Sequence, residues 1–324
     1  MTDERILEVK HLCKFFYAGK HSAPMKAVND VSFHINRGET LGLVGESGCG
    51  KTTTGRTVIR LYQPTSGEVW FNGKRIDGKL NAEEARAVTS KMQMVFQDPV
   101  ASLNPRMTVE EIICEGVKIN NLYPSREERR KQMYRMLDMV GLTREHATRY
   151  PHEFSGGQRQ RICIARALIT QPDMIIADEP ISALDVSIQA QILNLLMDLQ
   201  EDKGLSYMFI THDLSVVKHI SSHIAVMYLG QCVEYAGTKE LFANPLHPYT
   251  RALLAAIPVI DITRRGKRIE TIQGEVTSPI EPAPGCRFAP RCAYATEACR
   301  QEQRLCQVSE GHWVACCRAA GEEA

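Results

Sequence analysis

Residues 45–52 read Gly-Glu-Ser-Gly-Cys-Gly-Lys-Thr and fit the phosphate-binding loop (P-loop) spacing of glycine, four residues, glycine, lysine, and serine or threonine. A strand-like apolar run precedes this loop, and residues able to open a helix follow it. Only glycine lets the chain curl tightly enough at a helix N-terminus for backbone N–H groups to face a nucleotide's phosphates. The motif therefore predicts a nucleotide site in which Lys51 reaches the β- and γ-phosphates and Thr52 ligates Mg²⁺.

The composition limits what surrounds this loop. The chain has 324 residues, which favours one sizeable domain with a smaller appendage. Its 39 basic and 38 acidic residues give a net charge of +1, which provides no electrostatic footprint for nucleic acid. The apolar runs are shorter than the roughly 18 to 20 residues of a membrane span, and the first ten residues lack the apolar segment of a signal peptide. We expect a cytoplasmic protein without a nucleic-acid partner.

The chain around the P-loop has the pattern of β-structure. Residues 6–12 and 27–36 alternate apolar and polar side chains, as half-buried strands do. Residues 68–72 alternate again and lead into Asn72-Gly73, a strong hairpin signal. The first 75 or so residues therefore predict antiparallel strands around a βα nucleotide-binding unit.

Between residues 100 and 150 the apolar period lengthens from 2 towards 3.6, which indicates helices. Residues 108–111 and 125–128 both have the capping-box spacing that opens a helix. A stripe of methionine, leucine and valine then follows, and it is typical of a core-facing helix. The segment predicts a helical insertion in an otherwise α/β domain.

Two further groups of residues carry phosphate chemistry. Residues 155–158, Ser-Gly-Gly-Gln, open a helix whose N-terminus offers N–H donors to an anion. An apolar strand then ends in Asp178 and Glu179. In P-loop enzymes such a carboxylate holds Mg²⁺ through its shell, and its neighbour polarises the attacking water; capping of the next turn is the structural alternative. His212 follows the next apolar strand, on the edge where α/β sheets bind ligands.

In order and spacing these motifs resemble those of ABC-transporter ATPase subunits, specifically the oligopeptide/dipeptide import family, over roughly residues 5–318. The resemblance implies an α/β fold of the P-loop NTPase class, with a RecA-like core, an antiparallel β-subdomain and a helical subdomain. The implied ATPase domain covers residues 1–245, with the helical subdomain at about 98–165. A small cysteine-rich extension covers residues 246–324, and its cysteines lie within residues 286–317.

The resemblance also implies roles for individual residues. The residues implied to bind ATP are Phe16, Gly45, Glu46, Ser47, Gly48, Cys49, Gly50, Lys51, Thr52, Thr53, Gln97, Ser155, Gly156, Gly157, Gln158, Asp178 and Asp185. Among them Thr52, Gln97 and Asp178 are implied to hold Mg²⁺. Catalysis is implied for Glu179, His212 and Gln97. Phe16 would stack on the base, with Tyr17 as the alternative; from the residues alone, these aromatic side chains fit closure of a small β-core equally well.

Assembly is implied as well. Two ATPase subunits, most often two related chains, meet head to tail, so that Ser155 and Gly157 contact the γ-phosphate held by the partner's P-loop. Two membrane permease subunits and, indirectly, an extracytoplasmic solute-binding protein complete the transporter. The chain would lie peripherally on the cytoplasmic face of the inner membrane. Peptides, nickel and small glycosides are all compatible cargoes.

Six of the 11 cysteines lie in the C-terminal extension, and the others are expected to be buried among apolar residues. A cysteine cluster in a cytosolic chain indicates a metal site. Five and six residues separate Cys286, Cys292 and Cys299, which is wider than zinc knuckles use. We expect a [4Fe–4S] cluster, for which the resemblance supplies Cys316 as fourth ligand; a zinc site and unligated thiols are the alternatives. Two more cysteines leave that fourth ligand open: Cys306 and Cys317.

Other function classes also use a P-loop. An ABC-type ATPase of DNA repair or translation shares these motifs but normally carries a long coiled-coil insertion or two ATPase domains per chain, and neither is visible in the sequence. Residues 154–158 resemble the signature motif of ABC ATPases. A P-loop kinase or GTPase lacks this motif and the equivalent of His212. A binding module that had lost its ATPase would be expected to have replaced Glu179 or His212. A transporter ATPase is the favoured interpretation.

Overall fold

The computed structural model describes residues 4–19, 23–257, 274, 278–282 and 284–319, in which the chain forms twelve β-strands and ten α-helices. The strands are β1 (Arg5–Phe16), β2 (Met25–Asn36), β3 (Thr40–Val44), β4 (Ser66–Phe71), β5 (Lys74–Arg75), β6 (Met92–Val95), β7 (Met174–Asp178), β8 (Ser206–Thr211), β9 (His223–Tyr228), β10 (Gln231–Gly237), β11 (Cys306–Ser309) and β12 (His312–Val314). The helices are α1 (Lys51–Val58), α2 (Ala82–Lys91), α3 (Pro99–Ser102), α4 (Val109–Ile119), α5 (Arg126–Met139), α6 (Gly156–Leu168), α7 (Val186–Lys203), α8 (Leu214–Ile220), α9 (Thr238–Ala243) and α10 (Pro248–Ala255). Each of these helices is too short or too polar to traverse a bilayer.

The chain divides into two units. The first comprises residues 4–7, Ile35–Thr40 and Trp70–Ile210, and the second comprises Glu8–His34, Leu41–Val69 and the described residues from Thr211 onwards. The two-residue turn between β4 and β5 lies in the first unit, with Asn72 at φ 49° and Gly73 at φ 72°. Both central residues thus have the positive φ of a type I′ turn, which confirms the predicted hairpin.

The first unit contains three parallel strands in the order β6-β7-β8. The register aligns Val95 with Ala177, and Asp178 with Ile210. Every residue of β7 and β8 is buried, as expected of parallel strands that are covered on both faces. The acidic pair of the sequence therefore stands at the carboxyl end of the middle strand of these three.

Three helices of the first unit begin where the sequence predicts: α4 after Thr108, α5 after Ser125 and α6 after Ser155. Thr108 caps α4 with a complete capping box, whereas at α5 the Ser125 side chain accepts from the Glu128 N–H, which is one half of the box. Met133 and Leu137 on α5 are fully buried, so the stripe is core. Helix α7 ends at Gly204, whose φ of 65° suits the left-handed conformation of a helix end.

The second unit holds most of β1 and β2 and part of β4, which belong to a sheet of order β2-β1-β4-β5. It also holds five neighbouring strands of another sheet in the order β11-β12-β10-β9-β3, and among these five described strands only the β3–β9 pair is parallel. Strand β12 pairs with β10 through the partners Glu234 and Val314. Strands from both sides of the expected boundary between residues 245 and 246 thus pair in one sheet. The boundary stays a prediction. The chain between α10 and the cysteines returns to this unit, where the Pro279 carbonyl oxygen accepts a backbone hydrogen bond from Lys26.

Candidate functional site

The P-loop connects β3 to α1 in the second unit. Strand β3 is buried along its whole length and runs parallel to β9, with Val44 opposite Val226. A Cβ on Gly45 would lie 2.2 Å from the Met227 carbonyl oxygen, and one on Gly50 would lie 2.2 Å from the Ala27 carbonyl oxygen. Gly50 also has φ 105°, so only glycine fits where the loop closes onto the helix.

Helix α1 begins at Lys51 with no side-chain cap in this described segment, so its first turn presents backbone to the loop. Lys51 is 4% exposed, and its ammonium donates to the carbonyl oxygens of Gly45 at 2.7 Å and Glu46 at 2.9 Å. The loop thus folds around this cation, which is the arrangement that receives phosphate oxygens. Burial raises the pKa of the neighbouring Cys49 thiol, which keeps it protonated.

The acidic strand end of the first unit brings two predicted catalytic residues together. Gln97 donates from Nε2 to Oε2 of Glu179 at 3.0 Å. Glu179 has φ 45°, an uncommon conformation for a non-glycine residue, and its N–H donates to the Ile210 carbonyl oxygen at 2.9 Å. Asp178, the preceding residue, is fully buried. The backbone therefore changes direction directly after β7, at Glu179.

The signature segment caps α6 in the same unit. Ser155 is the N-cap, its backbone N–H donates to Gln158 Oε1 at 3.0 Å, and its side chain accepts from the Gln158 N–H. A Cβ on Gly157 would lie 2.6 Å from a methyl carbon of Ile188 on α7. The glycine therefore lets α7 approach the start of α6, a packing role that the sequence did not reveal.

The remaining predicted nucleotide residues lie near chain turns. His212 is exposed and directly precedes Asp213, the N-cap of α8. Asp185 is the exposed N-cap of α7. Phe16 is half-buried with its ring 5.5 Å from that of Tyr62, whereas Tyr17 is 62% exposed. Phe16 therefore contributes to a small aromatic contact, and its role towards a base stays a prediction.

The predicted cysteines converge in the second unit. A cavity of about 20 Å³ is lined by five of them: Cys286, Cys292, Cys299, Cys316 and Cys317. Sγ of Cys299 lies 3.9 Å from Sγ of Cys317. Burial raises the pKa of Cys286 to about 11 and raises that of Cys292 as well. Cys306 is exposed on β11, where its thiol donates to the Val314 carbonyl oxygen, and it does not line this cavity.

These thiols surround a cavity without meeting at one point: within the described residues, no three His, Cys, Asp or Glu side chains are placed to ligate a single metal ion. His247 also lines the cavity. Its Nδ1 accepts from the Tyr249 N–H, while its buried Nε2 has no hydrogen-bond partner within the part of the chain that the structure describes. Of the five earlier cysteines, four are buried as expected and Cys13 is half-buried.

Comparison with known proteins identifies the family. A family model described as "ABC transporter" matches residues 28–182, and one described as "Oligopeptide/dipeptide transporter, C-terminal region" matches residues 233–299. The oligopeptide transport ATP-binding protein OppF of Bacillus subtilis strain 168 is 60% identical over 80% of this chain and 84% of its own. The chain belongs to the ABC transporter family. AppF of the same organism, also named an oligopeptide transport ATP-binding protein, is 50% identical over 97% of this chain and 98% of its own.

Solved structures agree with this family membership. cbiO1 from Clostridium perfringens, described as part of the ABC transporter complex cbiONQ, superimposes with a TM-score of 0.65 at 27% identity, covering 75% of this chain and 92% of that protein. The ATP-binding cassette MJ0796, solved as a dimer bound to ADP and Pi, superimposes with a TM-score of 0.65 at 31% identity. The match covers 72% of this chain and 98% of MJ0796. The predicted ABC-type ATPase fold is therefore confirmed, and the chain is an ABC ATPase.

Proposed function

We propose that this ABC ATPase powers the import of peptides through a membrane permease. The observation that carries the proposal is the combination of a P-loop folded around Lys51 with a Gln97–Glu179 contact at the end of an acid-tipped strand. The choice of peptide as cargo rests on the match to the oligopeptide/dipeptide C-terminal region and on the names of its relatives.

In this proposal the loop from Gly45 to Thr53 receives the phosphates of ATP. The Lys51 ammonium exchanges its two carbonyl acceptors for β- and γ-phosphate oxygens, which carry more negative charge. Thr52, Asp178 and Gln97 would hold Mg²⁺ by oxygen ligands, and the bound ion would neutralise charge on the phosphates. Asp178 suits this role because it stands at the carboxyl end of β7, the edge at which α/β sheets bind ligands.

Hydrolysis in the proposal depends on Glu179. Its carboxylate takes a proton from a water whose oxygen bonds to the γ-phosphorus, while the bond from that phosphorus to the β–γ bridging oxygen breaks and ADP leaves with the electron pair. The Gln97 amide orients the carboxylate through the hydrogen bond at 3.0 Å. His212, exposed at the end of β8, would donate to the γ-phosphate as charge develops on it.

The helix α6 would act on a second subunit's nucleotide. The N-terminus of α6 offers backbone donors at Gly156 and Gly157, and the exposed Ser155 adds a hydroxyl that can still donate while it accepts from the Gln158 N–H. The dimeric MJ0796 cassette provides the precedent for two such chains meeting. We propose a head-to-tail pair, most simply with a related chain, attached peripherally at the cytoplasmic face of the inner membrane to two permease subunits. A solute-binding protein outside the membrane would deliver the peptide.

Reconstitution tests the proposed function. The full-length chain, co-purified with its membrane partners and placed in lipid vesicles, should hydrolyse ATP faster when a peptide-loaded binding protein is supplied on the face opposite the ATPase, and labelled peptide should accumulate in the compartment on the ATPase side. Stimulation by DNA or ribosomes without a permease would instead indicate the repair or translation class. Accumulation of nickel or a glycoside but not of peptide would refute the cargo assignment.

We also propose that the cysteine cavity holds a [4Fe–4S] cluster with Cys286, Cys292, Cys299 and Cys316 as ligands. Such a cluster takes one thiolate on each iron, so its ligands surround a cavity. The five thiols that line one cavity provide the soft donor set, and the buried Nε2 of His247 provides a hydrogen-bond donor for a thiolate or sulfide. Cys317 lines the cavity as well and is the alternative fourth ligand, whereas Cys306 does not.

Anaerobic purification tests the cluster. A brown protein with broad absorbance near about 400 nm and about four irons per chain would support it. Substitution of Cys292 by serine should lower the iron content, while the same change at the exposed Cys306 should leave it unchanged. A colourless protein with one zinc would show that the site is a zinc centre, and a metal-free protein would show unligated thiols.

A further inference from the structure

The segment between the first two cavity cysteines, residues 286–292, packs beneath the P-loop in the second unit. The Phe288 ring lies 5.2 Å from the Tyr228 ring and 5.3 Å from the Tyr249 ring. Arg287, which is buried, donates to the Leu229 carbonyl oxygen. Leu229 and Tyr228 adjoin Met227, whose carbonyl contacts the P-loop at Gly45. The cysteine-bearing segment therefore contacts the same chain turn that supports the loop.

A third side chain of this segment reaches the P-loop itself. Arg291 donates from Nη1 to Oε2 of Glu46 at 2.7 Å and from Nη2 to Oε1 at 3.2 Å. Its side chain is 7% exposed, against 28% for Glu46, and Nη1 also lies 3.3 Å from the Tyr228 hydroxyl. The two parallel hydrogen bonds are the bidentate geometry that arginine makes with a carboxylate and that lysine cannot reproduce.

Every polar group of Glu46 is thereby fixed. Its N–H donates to the Tyr249 hydroxyl at 2.8 Å, and its carbonyl oxygen accepts from Lys51 at 2.9 Å. Its carboxylate is held by Arg291. The orientation of the second P-loop residue is therefore set from outside the loop, by two side chains that lie more than 200 positions further along the sequence.

We propose that Arg291 is a positioning residue of the P-loop, through which the cysteine-rich extension sets the affinity of the chain for nucleotide. By fixing Glu46, Arg291 holds the loop in the curled form that accepts phosphates, so less ordering remains to be done when nucleotide binds. The inference rests on the proposed nucleotide site at the P-loop. Because Arg291 lies between the first two cavity cysteines and directly precedes the second, its placement depends on the segment that they anchor.

Calorimetric titration of the full-length chain with Mg·ADP tests the proposal. Arg291→Met, which removes the guanidinium but keeps an unbranched side chain, should weaken binding roughly tenfold, the factor that 1.4 kcal/mol produces. Arg291→Lys should recover only part of the lost ADP affinity, because lysine restores the positive charge but cannot make two parallel hydrogen bonds to the carboxylate. Arg304→Met is the matched control: the same change in the same extension removes an exposed pair with Glu302 and should leave the affinity unchanged.

A double-mutant cycle distinguishes positioning of Glu46 by Arg291 from a general contribution of Arg291 to the stability of the fold. Glu46→Gln alone should weaken binding by a similar factor without altering the extension, and Arg291→Met added to it should cost little more. Thermal unfolding identifies any variant that fails to fold; Glu46→Gln then carries the test alone. Unchanged ADP affinity in both single variants would overturn the inference, as would fully additive losses. Failure of the unaltered chain to bind ADP would instead overturn the proposed nucleotide site.

Discussion

Replacement of Glu179 by glutamine tests the proposed hydrolysis step because the surroundings of this side chain are well defined. The amide oxygen of the variant can still accept from Gln97 Nε2, which lies 3.0 Å from Oε2 of the native carboxylate. The backbone N–H bond to Ile210 and the φ of 45° involve no side-chain atom. The substitution therefore keeps shape and hydrogen bonding, and removes only the negative charge that would take the water proton.

The expected loss of hydrolysis rate follows from the removal of this negative charge. A positioned general base contributes about 100- to 10,000-fold to a rate, so the maximal hydrolysis rate should fall by that factor, or about 2.7 to 5.4 kcal/mol of transition-state stabilisation. Nucleotide affinity should stay within about twofold, because the contacts to the phosphates assigned to the P-loop are untouched. With product formation blocked, the ATP-bound pair of subunits should persist and elute at a higher apparent mass in the presence of ATP.

Phosphate release from the reconstituted transporter at saturating ATP measures the rate, and binding of Mg·ATP to the full-length chain measures the affinity. Glu83→Gln makes the same chemical change on an exposed residue of α2 in the same unit and should leave both unchanged. A Glu179→Gln variant that hydrolyses ATP within a few fold of the native protein would show that Glu179 is not the base.

Three further substitutions test other parts of the structure. Lys51→Ala should weaken Mg·ATP binding itself at least about tenfold, since it removes the one ammonium enclosed by the loop; unchanged affinity in a titration would remove the P-loop assignment. Glu234→Ala should lower the free energy of unfolding by about 3 to 5 kcal/mol in urea titrations, because its fully buried carboxylate accepts at 2.8 Å from His312; a loss below about 1 kcal/mol would contradict this. Burial lowers the pKa of His247 to about 3 from about 6.5 in the unfolded chain, so the unfolded state binds more protons below pH 6.5 and stability falls from there towards pH 3. This loss of unfolding free energy amounts to about 2 kcal/mol at pH 5. His247→Asn keeps a side-chain acceptor for the helix cap and does not titrate, so the urea midpoint of this variant should change less between pH 7 and 5 than that of the native protein.

Much of the fold could be predicted because local signals and tertiary packing agree in this chain. The Asn72-Gly73 turn and the Thr108 capping box each lie where the sequence placed them. The strand before the P-loop begins at Thr40 and ends at Val44, as its apolar run indicated. These features depend on backbone conformations that few residue types adopt, so the residues themselves are informative.

The parts that could not be predicted involve contacts between distant positions. Nothing in the residues near Arg291 indicates that its guanidinium pairs with Glu46, because an Arg-Cys sequence in a loop is compatible with an exposed side chain. The same holds for Gly157. Its sequence context indicates a phosphate-binding helix start, but does not indicate that Gly157 packs closely against Ile188. The position of Cys306 also needed tertiary structure, because the sequence does not show that Cys316 and Cys317 line the cavity whereas Cys306 is exposed outside it.

The buried carboxylate of Glu234 explains why the residues after position 245 contribute to the unit that carries the P-loop. It accepts hydrogen bonds from the N–H groups of Leu246 at 2.7 Å and His247 at 3.0 Å as well as from His312, so residues at both ends of the described extension neutralise one charge on β10. A buried charge without such partners costs several kcal/mol. Strand β10 pairs with β9, and β9 pairs with the P-loop strand β3, so this cost would fall on the sheet that presents the loop. The extension therefore supplies the partners of the buried Glu234 in the sheet that carries the P-loop, and Arg291 adds a second contact, to Glu46 of the loop itself.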